Sequence, residues 1–304
     1  MLIETSSLGK SYSDNKIALK DISFTIDEPG NIYGFIGPNG AGKTTLIRIM
    51  STQLHLTHGS AKILGFDVQK EQKEIRKRIS VLPQDIQPYT PELTVKQMIF
   101  YYLRIRGYTK KYINERMNDI LEMFDMASYQ DRKIGSLSGG LIRRCYLSLA
   151  LGVEADLYFL DEPTVGLDPS SKLFVWAALR KLTKRGKTVL LTSHYIEEIS
   201  RLCSKVIVID KGKIILHGNP AEIIKEHFNG ITNKLTIRID NKPHKDLIKL
   251  LDRFGDHVNI QNEILFSYTN QTDKLMIEIS SMGLHIEVSP ITLEDVAIKL
   301  ERGI

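Results

Sequence analysis

The sequence predicts an α/β protein in which a mainly parallel sheet lies between helices, followed by a smaller α+β region. Between residues 157 and 209, short apolar runs alternate with helical patterns, the order that gives parallel strands joined by helices. After residue 232 a second strand and helix pattern begins. The 304 residues, 42% hydrophobic and 25% charged, suit one large globular domain and one smaller domain.

The N-terminal part is expected to form strands around one glycine-rich loop. Apolar residues alternate at 19, 22, 24 and 26, the pattern of a strand with one buried face. The continuous apolar run at 31–36 is typical of a fully buried strand. The predicted elements are strands at 3–8, 18–26, 31–36 and 62–64, with a helix at 45–50.

Helical patterns dominate the middle of the chain, because apolar residues recur there at spacings of three and four. Helices are predicted at 95–106, 112–125 and 141–151, within a helical subdomain of about 87–153. Beyond it, strands are predicted at 157–160, 188–192 and 205–209, and helices at 170–184 and 195–202. Asp168 and Pro169 form a typical helix start. Residues 210–212 predict a hairpin turn onto a strand at 213–216.

The C-terminal region is expected to be a separate βαββαβ-like unit. Strands are predicted at 234–239, 257–260, 263–267 and 284–288, and helices at 244–254, 273–282 and 293–301. The whole pattern predicts a large domain at 1–220, a linker at 221–232 and a small α+β domain at 233–304.

A phosphate-binding loop is predicted between a strand and a helix. The run Gly37-Pro38-Asn39-Gly40-Ala41-Gly42-Lys43-Thr44 fits the pattern G-x-x-x-x-G-K-[ST]. Its glycines let backbone N–H groups surround an anion, Lys43 can reach the β- and γ-phosphates, and the Thr44 hydroxyl can bind Mg²⁺. A chance glycine turn would not need the flanking strand and helix.

Two further segments carry groups suited to phosphate chemistry. Asp161 and Glu162 follow an apolar strand, so Asp161 should lie at the carboxyl edge of the sheet, where ligands bind in such folds. Ser138, Gly139 and Gly140 precede a predicted helix and expose its N-terminus as a second anion site. Taken alone, this segment could be an ordinary capped helix. Two copies arranged head to tail would let each segment close on the other's nucleotide.

Together these motifs resemble the ABC ATPase family over roughly residues 2–220. Residues 37–45, ending in Thr45, resemble the Walker A loop, and Leu160-Asp161-Glu162 the end of Walker B. Ser138-Gly139-Gly140 resembles the signature motif, and Gly166-Leu167-Asp168 the D-loop. Single residues also match, with the roles that they have in the family: Tyr12 for adenine stacking, Gln84 of the Q-loop, and His194 as the switch histidine. Leu141 departs from the pattern, since many members have glutamine there.

The resemblance implies a P-loop NTPase of the ABC ATPase fold, with an antiparallel β subdomain and a helical subdomain. It implies ATP hydrolysis with Mg²⁺, the catalytic residues being Glu162, His194, Lys43 and Gln84. The implied metal ligands are Thr44, Gln84 and Asp161. The implied ATP-binding residues are Tyr12, Gly37, Pro38, Asn39, Gly40, Ala41, Gly42, Lys43, Thr44, Thr45, Ser138, Gly139, Gly140 and Asp168.

The resemblance also implies partners: a second ABC ATPase subunit, identical or different, and an integral membrane permease. No apolar run reaches the roughly 18 residues that span a bilayer, and no signal peptide is evident, so we expect a cytoplasmic chain held at the inner membrane face by the permease. The C-terminal helix resembles that of bacitracin-type export ATPases, which favours export of a drug, antibiotic, peptide or lipid. The alternatives are a soluble ABC ATPase acting on DNA or ribosomes, and a simple P-loop kinase, which would leave the signature motif unexplained.

Composition argues against nucleic acid as a partner. The formal charge is only +5, and the basic stretch at 70–78 also contains Glu71 and Glu74. That stretch suits a solvated helix face, or contact with anionic lipid headgroups. Cys145 and Cys203 are far apart in the sequence and are expected to be reduced, buried thiols rather than a disulfide or a metal site.

Overall fold

A computed structural model describes residues 1–13, 16–86, 90–239, 245–254, 256–261 and 264–302. The chain divides into two compact units, Met1–His217 and Gly218–Ile304. Three predicted element ends, Gln87, His244 and Glu263, lie outside the described residues.

The first unit contains two sheets. Its strands are β1 (Ile3–Ser11), β2 (Ile17–Ile26), β3 (Ile32–Ile36), β4 (His58–Ile63), β5 (Phe66–Asp67), β6 (Ile79–Leu82), β7 (Leu157–Asp161), β8 (Thr188–Thr192), β9 (Lys205–Asp210) and β10 (Lys213–Gly218). The larger sheet has the order β10-β9-β3-β8-β7-β6, in which β9, β3, β8, β7 and β6 are parallel. Every residue of β3, β7 and β8 is buried, as expected for parallel strands covered on both faces.

The second sheet has the order β2-β1-β4-β5 and is antiparallel. The strand β4 begins four residues before the predicted start at residue 62, because it pairs with β1 as far as His58. The short strand β5 and the sheet-edge strand β6 were not predicted. Both depend on partner strands rather than on a strong pattern of their own.

The helices of the first unit are α1 (Lys43–Met50), α2 (Gln72–Arg78), α3 (Val95–Ile105), α4 (Lys110–Met123), α5 (Gly139–Gly152), α6 (Pro169–Lys184) and α7 (Ile196–Leu202). Side-chain caps set four of the starts: Thr94, Thr109, Ser138 and Asp168 each accept a hydrogen bond from a backbone N–H of the first turn. The predicted α/β fold, with a parallel sheet and helices around it, is therefore confirmed. None of the helices among the described residues is both long and apolar enough to cross a membrane.

The second unit follows the predicted βαββαβ order. Its helices are α8 (Pro220–His227), α9 (Lys245–Phe254), α10 (Thr272–Ser281) and α11 (Leu293–Arg302), and its strands are β11 (Asn233–Arg238), β12 (Asp256–Gln261), β13 (Ile264–Thr269) and β14 (Ile286–Pro290). The antiparallel sheet has the order β12-β13-β11-β14. The helix α8 lies in the stretch predicted to be a linker, and it begins at Pro220 behind the cap Asn219.

Candidate functional site

The loop between β3 and α1 is tightly fitted to its surroundings. Gly42, the residue before α1, has a φ of 110°. A Cβ atom there would lie 2.6 Å from the carbonyl oxygen of Ala18, so only glycine fits without a backbone shift. The predicted phosphate loop therefore has the conformation that its glycines allow.

Lys43 lies inside this loop with an exposed fraction of 6%. Its Nζ donates hydrogen bonds to the carbonyl oxygens of Gly37 at 2.6 Å and Pro38 at 3.0 Å. Burial lowers the pKa of Lys43, while the negative charges of Glu162 and Asp161 act in the opposite direction. Both partners are neutral carbonyl groups, so a phosphate oxygen would be a stronger acceptor for the same ammonium group.

Two predicted residues from other parts of the chain, Tyr12 and Gln84, contact the threonines at the end of the loop. Thr44 Oγ1 donates a hydrogen bond to Gln84 Oε1 at 3.2 Å, and the Tyr12 hydroxyl lies 3.4 Å from Thr45 Oγ1. The structure thus brings the predicted adenine-stacking residue, the loop hydroxyls and the predicted Q-loop glutamine to one place, although they are far apart in the sequence.

Asp161 and Glu162 are fixed by a threonine of the neighbouring strand. Thr192 Oγ1 donates to Asp161 Oδ1 at 2.5 Å and accepts the backbone N–H of Glu162 at 2.9 Å. The two carboxylates are 2% and 4% exposed. Thr192 was not predicted as a site residue. It stands directly opposite Asp161 in the parallel pairing of β7 with β8, so only the sheet register could have identified it.

Glu162 contacts the predicted switch histidine. Its Oε2 lies 2.9 Å from Nδ1 of His194. Glu162 has a φ of 51°, in the left-handed region that residues other than glycine rarely adopt. The turn directly after β7 therefore directs a buried carboxylate to a half-exposed imidazole.

The phosphate loop, with Glu162 and other residues, borders a cleft of about 640 Å³, within the range typical of small-molecule sites. Its lining includes Tyr12, Asn39, Lys43, Thr44, Gln84 and Glu162. The candidate metal ligands Thr44, Gln84 and Asp161 offer a hydroxyl, an amide oxygen and a carboxylate. Oxygen ligands of this kind suit Mg²⁺, so the residues present fit the predicted ion.

Nine of the predicted residues are not among those that line this cleft: Gly37, Pro38, Ala41, Asp161, His194, Ser138, Gly139, Gly140 and Asp168. Ser138 caps α5, and a Cβ atom on Gly139 would meet nothing within 4 Å. A Cβ atom on Gly140 would lie 3.6 Å from the carbonyl oxygen of Gly166, so the segment that resembles the signature motif lies beside the one that resembles the D-loop.

The carboxylate of Asp168 is occupied within its own chain. It accepts hydrogen bonds from the hydroxyls of Ser170 and Ser171 and from the Ser171 N–H, which hold its pKa well below the usual value. In the described chain Asp168 therefore shapes the start of α6.

Two other buried charged residues near the site were not predicted to have a role in it: Arg143 of α5 and Glu198 of α7, which are 7% and 4% exposed. The sequence does contain a signal for Arg143. It stands four and eight residues before Leu147 and Leu151 and so belongs to the buried stripe of an otherwise apolar helix face.

Comparison with known proteins gives consistent matches. A family model described as "ABC transporter" matches residues 19–165. The Nod factor export ATP-binding protein I of Rhizobium etli is 34% identical over 299 residues, which is 98% of this chain and 92% of that protein. The protein of the same name from Burkholderia pseudomallei is 34% identical over 98% of this chain and 96% of its own length.

Solved structures show the same fold. A structure described as the ATP-binding subunit of an ABC transporter has a TM-score of 0.69 at 23% identity, over 76% of this chain and 94% of that one. CbiO1 from Clostridium perfringens, described as part of the ABC transporter complex cbiONQ, has a TM-score of 0.65 at 27% identity, over 74% and 91%. MJ0796, solved as a dimer in a post-hydrolysis state with ADP and Pi, has a TM-score of 0.65 at 23% identity, over 72% and 98%.

Proposed function

The chain belongs to the ABC transporter family as one of its ATP-binding subunits, which are ATPases coupled to transport, and we propose that Glu162 is the general base of its hydrolysis site. One observation carries the proposal. Glu162 lines the same cleft as Lys43 and Thr44, and its carboxylate is held 2.9 Å from His194. A buried carboxylate with one fixed partner can orient a water molecule and accept its proton.

The phosphate loop at residues 37–45 binds the nucleotide. Lys43 exchanges its bonds to the Gly37 and Pro38 carbonyl oxygens for the β- and γ-phosphate oxygens of ATP, while the backbone N–H groups of residues 39–45 surround the phosphates. Tyr12, which also lines the cleft, stacks on the adenine. Thr44, Gln84 and Asp161 would hold Mg²⁺, which would neutralise charge that develops on the phosphates.

Hydrolysis then depends on positioning and charge. Glu162 takes a proton from the attacking water as the water oxygen bonds to the γ-phosphorus and the bond from that phosphorus to the ADP oxygen breaks. His194, as an imidazolium, donates from Nδ1 to the Glu162 carboxylate and from its other ring nitrogen to a phosphoryl oxygen. The Thr192 hydroxyl keeps Asp161 and Glu162 in fixed relation throughout, because it bonds to both residues.

The site is completed by a second ATP-binding subunit, identical or different. The position of Ser138, Gly139 and Gly140 outside the cleft, with their N–H groups at the start of a helix, supports this arrangement. Each copy offers this segment and its D-loop, with Asp168, to the nucleotide of the other.

Transport requires an integral membrane permease, and we place this subunit at the cytoplasmic face beside it. The direction is export, as in the names of the curated relatives. Residues 1–220 form the ATPase domain, with the helical subdomain at about 87–153, and residues 233–304 form an accessory domain.

The test is Glu162→Gln, assayed for ATP binding and for phosphate release. We expect binding to persist, turnover to fall by about 10²–10⁴-fold, and a nucleotide-bound dimer to accumulate on size-exclusion chromatography. Glu28→Gln, which changes an exposed carboxylate paired with Lys205, is the matched control and should hydrolyse normally. Normal turnover by Glu162→Gln would show that another group is the base.

A further inference from the structure

Arg143 is a buried cation whose hydrogen bonds end on backbone carbonyl oxygens. Its Nη1 donates to the oxygen of Gln84 at 2.8 Å, and its Nη2 donates to the oxygens of Asp161 at 2.9 Å and Glu162. Longer contacts of 3.5 Å reach Pro83 and Pro163. One side chain thus joins two segments that are almost eighty positions apart in the chain.

Both segments lie at the carboxyl ends of neighbouring parallel strands. Gln84 follows β6, and Asp161 and Glu162 end and follow β7. Arg143 itself belongs to α5, whose first turn is capped by Ser138 and contains Gly139 and Gly140. The guanidinium group therefore connects α5, the helix that begins with the signature segment, to two strand ends. Those strand ends carry the proposed metal ligands Gln84 and Asp161 and the proposed base Glu162.

The contact with Glu162 has a further consequence, because Glu162 is in a strained conformation. A φ of 51° is unfavourable for a residue with a Cβ atom and persists only where neighbours hold it. The peptide groups on its two sides are held by different elements: its N–H donates to Thr192 Oγ1 of β8, and its carbonyl oxygen accepts from Arg143. Loss of either partner frees one side of the residue that carries the catalytic carboxylate.

Arginine suits this position in a way that lysine does not. A planar guanidinium has five N–H donors in a fixed fork, whereas an ammonium group is a single point with three donors. Lysine could bond one or two of the carbonyl oxygens but could not span Gln84, Asp161 and Glu162 together. Burial lowers the pKa of the Arg143 guanidinium, and the negative charges of Asp161, Glu162 and Asp85 act in the opposite direction.

We propose that Arg143 is a positioning residue for ATP hydrolysis: it fixes the direction of the Glu162 carboxylate and of Gln84 and makes both follow the position of α5. This proposal rests on the proposed role of Glu162. Within the described part of the chain, Arg143 makes no hydrogen bond to the Lys43 loop, so we expect nucleotide affinity not to depend on it. Its loss should therefore affect the rate constant far more than nucleotide binding.

The first experiment compares Arg143→Ala, Arg143→Lys and Arg78→Ala. The control Arg78 joins Asp156 at the opposite end of β7 and is half-exposed. We expect kcat to fall about 10²-fold in Arg143→Ala, the scale of a misplacement of about 1 Å, and less in Arg143→Lys. The Kd of a fluorescent ATP analogue, measured in EDTA, should stay within about threefold of wild type in all three, a factor of three being under 1 kcal/mol. An unchanged kcat in Arg143→Ala, or a parallel loss of kcat and affinity, would overturn the proposal.

A double variant tests whether Arg143 acts through Glu162. If it does, Arg143→Ala should slow Glu162→Gln hardly at all, because the group that it positions is already gone. Independent, multiplicative losses would exclude positioning of Glu162. If Arg143→Ala does not fold, the same cycle is made with Arg143→Lys. Full turnover by Glu162→Gln would refute the base assignment, whereas loss in Glu162→Gln with normal rates in both Arg143 variants would refute only the role of Arg143.

Discussion

The indole nitrogen of Trp176 donates a hydrogen bond of 2.8 Å to Glu198, a carboxylate that is 4% exposed. The other carboxylate oxygen accepts from Thr164 at 2.8 Å and from Ser193 at 3.0 Å. Thr164 follows Glu162 by two residues, and Ser193 precedes His194. Glu198 therefore joins α6 to the two segments that carry the proposed base and its histidine, although it does not line the cleft.

Glu198→Ala should lower the free energy of unfolding by roughly 3 kcal/mol, because it leaves three donors unpaired, two of them in buried residues. Trp176 is the single tryptophan, so its fluorescence emission should also change when its hydrogen bond to Glu198 is lost. Urea unfolding followed by tryptophan fluorescence measures both the free energy of unfolding and the emission of the folded protein. Glu115→Ala, on the exposed face of α4, is the control and should leave both unchanged. Equal stability of the two variants would contradict this role for Glu198.

Two glycines of the phosphate loop give a matched pair. Gly42 and Gly40 both have positive φ angles, 110° and 81°, but a Cβ atom would clash only at Gly42, while nothing lies within 4 Å of one at Gly40. Gly42→Ala should weaken ATP binding by at least tenfold, about 1.4 kcal/mol, because the loop must move away from Ala18. Gly40→Ala should weaken ATP binding less, because it adds only backbone strain. Isothermal titration calorimetry with ATP measures the affinity of each variant. Equal losses of affinity would contradict a role for the Ala18 contact and would show that only backbone strain matters.

Asp168 predicts a specific pH dependence. Its serine hydrogen bonds lower its pKa in the folded state, so its ionised form contributes stability above the unfolded value of about 3.9. That contribution must fall as the pH drops below this value. Asparagine caps helices about as well but cannot ionise. The stability difference between wild type and Asp168→Asn should be largest at pH 7 and should shrink towards pH 3 in urea titrations. A difference that does not vary with pH would show that the charge is irrelevant.

The two thiols should be unreactive in the folded protein. Burial raises the pKa of Cys145 to about 12, and it also raises the pKa of Cys203. Thiolate is the reactive form, so little of it exists at pH 8. A thiol-specific disulfide reagent should modify neither cysteine in buffer and both in urea. Rapid modification in buffer would contradict this and would mean that the structure around that thiol opens easily, within α5 for Cys145 or at the end of α7 for Cys203.

The local parts of the fold were predictable from the sequence. The starts of α3, α4, α5 and α6 lie within two residues of the prediction, because the caps Thr94, Thr109, Ser138 and Asp168 act on residues next to them in the chain. The elements that were missed, such as β5 and β6, are short and are stabilised by pairing with distant strands. The helix α8 was missed because the stretch was assigned to a linker, although Asn219 and Pro220 form a helix start.

The sequence by itself determined the chemistry offered: a phosphate loop, two consecutive carboxylates, a histidine and a capped glycine segment, each encoded within a few adjacent residues. The tertiary structure alone decided how these groups are held. Thr192 reaches Asp161 across 31 positions, and Arg143 reaches Gln84 across 59. Such contacts depend on strand register and helix placement, which follow from burial of the whole core and not from any local pattern.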